Sequence, residues 1–268
     1  MMQGPVPTDP FFSLRRAEIF QRKDIADLAG GLCVAIHVRG AIASDTCAEI
    51  LGTLSSVEFE PYGKERVQPA VLRYGVAVSD HNDSGRLAQS YWQAMETSER
   101  GWRALGLSYD PFEMCRNALG HDWPQGVEVA RHKGRLLSPG VAREPNDGFL
   151  IHFDDAAREF TDPLLDEYTV AQFAFNLYLS VPEEGGETIF WRHTWDPRDE
   201  SHRRPGSYGF SEEVVAGLER LEVKPQVGDA LLLNPRYFHA VSPSQGGRRI
   251  ALGFRLGMTD SGRLTAWG

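Results

Sequence analysis

Hydrophobic positions follow two regimes along this 268-residue chain. Before about residue 125 the longer apolar patterns are helical. Ser44 or Asp45 is placed to cap a helix reaching about Leu54, with Glu49 in its first turns. Leu87, Tyr91, Met95, Trp102 and Leu105 predict a helix over 84–105 that packs on the outside of a sheet. Asp110-Pro111 opens another helix through Leu119, proline being tolerated in a first turn. Residues 14–28 are mixed and read as a short helix, and residues 1–12 as a Pro-rich arm. Two strand-like runs interrupt this part, 32–38 between glycines and 68–74 leading into 75–79.

From Gly126 the period changes to two, which is the spacing of a sheet with one face buried. Strands are predicted at 127–132, 148–154, 169–179, 188–191, 227–239 and 249–256, with a Pro/Gly-rich loop at 136–147 and an acidic irregular stretch at 155–168. Glu183-Glu-Gly-Gly186 reads as a hairpin turn, with 188–191 as its return strand. A charged loop at 196–208, a helix over about 211–221 and a polar tail after Gly257 complete the pattern. The expected architecture is a single domain, mainly β with flanking helices. Residues 1–125 form an N-terminal helical buttress with edge strands, and 126–258 a β core carrying an insertion at 196–222. That insertion reads either as a lid over a site or as a decorated connection.

Chemistry concentrates in the alternating half. His152 and Asp154 stand two apart, so on a strand their side chains share a face. His239 ends a second apolar run, and Arg249 follows ten residues later inside a third. Two imidazoles and one carboxylate on one face of a metal, with its other positions open, is the facial arrangement of non-haem Fe(II) oxygenases. On 169–179, Phe173, Phe175, Leu177 and Leu179 share one face and Gln172, Asn176 and Tyr178 the other. The polar set either lines a barrel interior and binds ligand, or faces water. Arg73, among apolar neighbours, either anchors a substrate carboxylate through two parallel hydrogen bonds or makes an ion pair. His37 reads as a satisfied structural histidine.

His152-Phe-Asp154, the distal His239, Arg249 and the phrase Asn176-Leu-Tyr-Leu-Ser-Val-Pro-Glu-Glu-Gly-Gly-Glu-Thr188 together resemble the 2-oxoglutarate/Fe(II)-dependent dioxygenases over about 127–257. The likeness is to prolyl-hydroxylase-like members and to small-molecule hydroxylases and halogenases. It implies a double-stranded β-helix, a jelly-roll or cupin-like barrel. It also implies Fe(II) held by His152, Asp154 and His239, with 2-oxoglutarate and O2 as cosubstrates. Arg249 then pairs with the far carboxylate of 2-oxoglutarate, whose oxidative decarboxylation to succinate and carbon dioxide is coupled to hydroxylation of a C–H bond. Related halogenases carry Gly or Ala where Asp154 stands, so hydroxylation is expected here. One departure is Ala251, where many members have Ser or Thr; Tyr178, Thr188 and Asn176 are then candidates to contact the cosubstrate.

Composition narrows the substrate. At 41% hydrophobic and 24% charged residues the chain is an ordinary globular protein, with no run long enough to span a membrane. A net charge of −9 argues against broad nucleic-acid binding, although Arg249 and Arg255 form an Arg-x5-Arg pair like that of nucleobase demethylases. Three scattered cysteines predict no disulfide framework, and the N-terminus lacks signal-peptide order, so the cytoplasm is the expected location. The expected reaction is hydroxylation of a small molecule, an amino acid or natural-product intermediate. Hydroxylation of a protein side chain and a non-catalytic metal-binding barrel are the alternatives. Nothing in the sequence decides between a monomer and a homodimer.

Overall fold

Two sheets face each other across the interior of the protein, whose computed structural model describes residues 10–63, 67 and 69–268. Four strands of the larger sheet, in the order Ala230–Leu233, Thr169–Ser180, Ile250–Thr259 and Val141–Glu144, face the smaller sheet. The smaller sheet runs Phe149–His152, Tyr237–Val241, Thr188–Thr194 and Arg220–Val223. In chain order the eight strands alternate between the sheets except at Thr188–Thr194 and Arg220–Val223, which follow one another and pair antiparallel in the smaller sheet; this is the eight-stranded jelly roll. The larger sheet is extended by Ala35–Val38 and Leu14–Ala17 on one side, and by Leu72–Tyr74 and Glu60–Pro61 on the other.

Alternation in the long strand decides which face does what. Phe173, Phe175, Leu177 and Leu179 join Ile250, Leu252, Phe254 and Leu256 in a core that also takes residues from three helices. Those helices are Arg22–Ala29, Ser44–Leu54 and Pro111–Gly120. The first two contribute Ile25, Leu28, Cys47, Ile50 and Leu54, one apolar stripe each. Asp110 caps the third, accepting from the Phe112 N–H at 2.8 Å, with Pro111 in the first turn. The opposite face of the same strand turns Ala174, Asn176 and Tyr178 toward the smaller sheet. No helix among the described residues is long and apolar enough to cross a membrane.

Several expected elements differ. The mixed stretch 14–28 splits into the strand Leu14–Ala17, parallel to Ala35–Val38, and a helix beginning at Arg22. The 84–105 helix begins only at Ser90, because Ser84 and Gly85 take positive φ angles of 53° and 86° in a tight hairpin. The loop expected at 136–147 holds the first barrel strand, Val141–Glu144, too short to show a pattern but paired on both sides. Val127–Val129 lies outside the barrel and pairs with Leu264–Trp267, so the tail is no polar tail: Trp267 is buried. In place of a helix over 211–221 there is one turn at Glu212–Val215, then Gly217 with φ 74°, then the strand Arg220–Val223. The arm expected at 1–12 falls largely outside the described residues.

Glu183 to Gly186 is not a hairpin either, for the strands on its two sides belong to different sheets. The turn carries the chain across the barrel and needs both glycines. Gly185 and Gly186 have φ of 73° and 72°, and a Cβ on Gly185 would sit 1.8 Å from the Pro243 carbonyl oxygen.

Candidate active site

Between the sheets lies a cavity of about 530 Å³. His152 and His239 face each other across adjacent antiparallel strands, in register, with ring centroids 4.2 Å apart. Asp154 lies just past the end of its strand, anchored by its own N–H to the Pro235 carbonyl at 2.8 Å. Its Oδ2 is 3.9 Å from His152 Nε2 and 3.8 Å from His239 Nε2. Ligand atoms of the three residues all lie within 4.8 Å of one another.

This donor set fits a divalent iron. Each Nδ1 is spoken for, His152 at 2.7 Å from the Leu150 carbonyl and His239 at 2.9 Å from that of Tyr237. A carbonyl only accepts, so each Nδ1 carries the proton and each Nε2 points a lone pair at the shared centre. Burial and the neighbouring His152 push His239 down to about 4, so it stays neutral as a ligand must. Burial alone would raise the Asp154 carboxyl, but Arg255, the imidazoles and Arg143 outweigh it and hold it at about 2. Arg255 also fixes the geometry: its Nη2 is 3.6 Å from Asp154 Oδ1, which leaves Oδ2 facing the two imidazoles, and its Nη1 is tied to Glu159 at 2.6 Å.

Beside the triad, Arg249 is 4% exposed and lines the same cavity. Its Nε donates to the Gly186 carbonyl at 3.0 Å, its Nη2 lies 3.3 Å from Thr188 Oγ1, and its guanidinium sits 5.0 Å over the Tyr178 ring. Among the described residues no carboxylate pairs with it. A buried guanidinium without a counter-ion is costly to the free protein, and a carboxylate ligand is the natural remedy. Tyr178 Oη is 3.2 Å from Thr188 Oγ1, so the hydroxyls expected to compensate for Ala251 form one cluster behind the arginine. Asn176 also lines the cavity, on the inward face of the long strand. Arg248, the immediate neighbour, points away and pairs with Glu144.

Arg73 does not line the cavity. Its Nε pairs with Asp80 at 2.7 Å, its Nη1 reaches the Gly75 carbonyl, and its charge rests 5.3 Å from the Tyr62 ring. The ion-pair alternative therefore describes it, and the substrate-anchor expectation is corrected: the guanidinium is already occupied. His37 is likewise a structural histidine, bonded to Asp229 at 2.8 Å.

Sequence reasoning missed most of the outer wall. Arg143, Arg158 and Arg203 line the cavity with Tyr62, Phe149, Phe153, Ser207 and Tyr208. Arg143, on a stretch read as a loop, could be named from the sequence as able to approach the site, but only alternation within Val141–Glu144 points it inward, and that strand was not recognised. The insertion is stitched to the barrel edge. Phe210 N–H donates to the Ile151 carbonyl at 2.8 Å, and Leu150 N–H donates to Tyr208 Oη at 2.9 Å. Tyr208 packs edge-on against His152 with centroids 5.3 Å apart.

Comparison with known proteins agrees with this geometry. Residues 149–267 match the family described as the carrier-protein-independent halogenase WelO5. Over 269 residues, 99% of this chain and 100% of the relative, the sequence is 37% identical to L-gamma-glutamyl-L-propargylglycine hydroxylase of Streptantibioticus cattleyicolor. Leucinostatins biosynthesis cluster protein S of Purpureocillium lilacinum is 29% identical over 129 residues, 47% of this chain and 52% of that protein. Among solved structures, an N-substituted L-amino acid dioxygenase of Burkholderia ambifaria, in complex with alpha-KG, shares the fold. Its TM-score is 0.60 at 16% identity, covering 92% of this chain and 90% of that one.

Proposed function

Because this chain belongs to the 2-oxoglutarate/Fe(II)-dependent dioxygenases, we propose that it hydroxylates an unactivated C–H bond of a small amino-acid-derived molecule. The observation that carries the reading is Arg249, buried without a carboxylate partner beside a facial His152–Asp154–His239 cluster. Such a pair of features suits a diacid whose one end reaches the metal and whose other end reaches the arginine. Iron(II) bound at the triad supplies the redox chemistry by which O2 and 2-oxoglutarate become succinate and carbon dioxide while R–H becomes R–OH. The chain's own residues bind and orient. Arg249 and Thr188 hold the far carboxylate. The carbonyls of Leu150 and Tyr237 keep both imidazoles in the ligating tautomer. Arg255 keeps Asp154 to one metal-facing oxygen. The retained carboxylate at Asp154 favours hydroxylation over halide transfer.

The substrate class rests on two supports. The relative at 37% identity is a hydroxylase of a γ-glutamyl amino acid, and it matches this chain from end to end. The cavity, at about 530 Å³ and walled by Ser207 and Tyr208, has the size of a small-molecule site, which favours such a substrate over a protein side chain. We place the enzyme in the cytoplasm, in keeping with three buried free thiols, Cys33, Cys47 and Cys115. The test is succinate release with Fe(II), 2-oxoglutarate and a panel of free amino acids and γ-glutamyl dipeptides. A product heavier by one oxygen, formed with succinate, is expected. Succinate production that no member of the panel stimulates would remove the substrate class while leaving the cofactors standing.

A further inference from the structure

We propose that Arg143, oriented by Tyr62 and flanked by Asn176, forms a second carboxylate-binding subsite in the cavity, and that it reads a carboxylate of the substrate. The inference rests on the proposed amino-acid hydroxylase reading and adds to it where the substrate is held.

Arg143 stands on the first barrel strand, opposite Ala251 on one side and Arg73 on the other. Its neighbours in sequence, Ala142 and Glu144, face outward, into the helix-side core and onto Arg248 respectively. Arg143 therefore faces inward, and it lines the cavity. Its Nε donates to Tyr62 Oη at 2.9 Å. Tyr62 is itself held, by its N–H to the Val71 carbonyl and by the Arg73 charge over its ring. Arg73 is pinned in turn by Asp80. The chain Asp80–Arg73–Tyr62–Arg143 aims one guanidinium and leaves its terminal nitrogens uncommitted.

Space has been kept for those nitrogens. A Cβ on Gly253 would come within 2.7 Å of Arg143 Nη1 and 3.0 Å of Asn176 Oδ1. The glycine lets both polar groups lie across the sheet floor together. Arg143 makes no ion pair among the described residues, its charge reaching Asp154 only at longer range, whereas Arg203 is tied to Glu200 and Arg255 to Glu159. Arg158 makes no ion pair among the described residues either, but it is exposed and stacked on Trp195. The two ends of the cosubstrate are accounted for by the triad and Arg249, so the free guanidinium at Arg143 is left for another anion. Tyr62, Val67 and Ser79, from the N-terminal part of the chain, line this side of the cavity. A planar fork held at Nε suits a carboxylate, which takes two parallel N–H bonds.

The experiment uses the full chain, anaerobic and loaded with Fe(II), as wild type, Arg143→Gln and Arg143→Lys. The probes are 2-oxoglutarate, then L-γ-glutamyl-L-propargylglycine and its two mono-carboxamides, titrated calorimetrically. Wild type should bind one of the mono-amides roughly tenfold to a hundredfold more weakly than the dicarboxylate. Arg143→Gln should lose the same factor on the dicarboxylate, no longer distinguish it from that amide, and keep 2-oxoglutarate affinity within about threefold. Retained 2-oxoglutarate binding also shows that the variant is folded. Arg143→Lys should recover part of the loss. If Arg143→Gln instead weakens 2-oxoglutarate, the carboxylate at this subsite is the cosubstrate's and the proposal falls. It also falls if wild type prefers neither acid nor amide, or if the variant still discriminates. Wild type that binds 2-oxoglutarate but none of the dipeptide probes would overturn the substrate class itself, and the subsite with it.

Discussion

Replacing Arg249 by glutamine separates cosubstrate binding from metal binding. Arg249 is 4% exposed and unpaired by any acid among the described residues, so its ion pair with a bound carboxylate forms in a desolvated site. An exposed pair is worth at most about 1 kcal/mol, whereas cutting one partner from a buried hydrogen-bonded pair costs about 2–5 kcal/mol. Two of the guanidinium's nitrogens are already directed, at Gly186 and Thr188, so little ordering is left to be done when the ligand arrives. The expected loss is then roughly 30-fold to a few thousand-fold in 2-oxoglutarate affinity. Fe(II) affinity should change less than about threefold, because Arg249 makes no direct contact with the triad. Anaerobic titration of the Fe(II)-loaded protein with 2-oxoglutarate, followed by the visible charge-transfer band of the chelate, measures the first, and calorimetry the second. A second signature follows from burial, which pushes the Arg249 guanidinium down from its ordinary value and outweighs the opposing pull of Tyr178 and Glu187. Without ligand, Arg249→Gln should melt at or above wild type; with saturating 2-oxoglutarate it should melt below. A variant that binds 2-oxoglutarate within threefold of wild type would refute the assignment of this arginine.

Other outcomes follow from the same geometry. His152→Ala and His239→Ala each remove one of three ligands, and both should abolish Fe(II) retention on a desalting column; wild-type turnover in either would remove the triad. In the metal-free protein, His239 titrates near 4 when folded and 6.5 when unfolded, so the unfolded chain takes up the extra proton between those values. Its neutral form therefore contributes fully above pH 6.5, and about 3 kcal/mol is lost as pH falls from 6.5 to 4. Melting temperatures of wild type across that window should slope more steeply than those of His239→Asn, and equal slopes would contradict the burial argument. Gly185→Ala must place a Cβ against the Pro243 carbonyl at a φ of 73°. A loss of at least about 2 kcal/mol is expected, read as a lower melting temperature with iron still bound once folded.

Long elements and the candidate metal cluster were legible because each rests on one strong regularity. Twelve residues of clean alternation in Thr169–Ser180 leave little doubt about a strand, and His152, Asp154 and His239 need only strand spacing to converge. What alternation cannot convey is which sheet a strand joins. The Gly185-Gly186 turn looks like a hairpin, and only pairing with Tyr237–Val241 reveals a crossing between sheets. Short strands were lost for the opposite reason. Val141–Glu144 has four residues between Gly140 and Pro145, so it carries no period, and its conformation is imposed by partners on both sides. The direction of Arg143 was lost with it. Arg73 stayed between two readings because an apolar setting does not tell whether an arginine's acid lies in the ligand or in the chain; Asp80, seven residues on, was the answer.

The two faces of the larger sheet explain how the barrel tolerates such a cavity. Five arginines and three carboxylates line it, and at least Arg143 and Arg249 make no ion pair among the described residues. Each is a cost to the folded chain in the absence of ligand. The same strands present Phe173, Phe175, Leu177, Leu252, Phe254 and Leu256 on their other face, all buried against helices that bring their own apolar stripes. Each such side chain is worth about 1.5–3 kcal/mol of burial, so a handful of them outweighs the penalty of two unpaired cations. Stability is thus drawn from the helix side and chemistry placed on the barrel side, with the Cα–Cβ alternation of one strand serving both. The N-terminal helices matter to the reaction for this reason although they contribute no ligand to the metal. Without the core they cover, the inward face could not hold its arginines uncompensated until a carboxylate arrives.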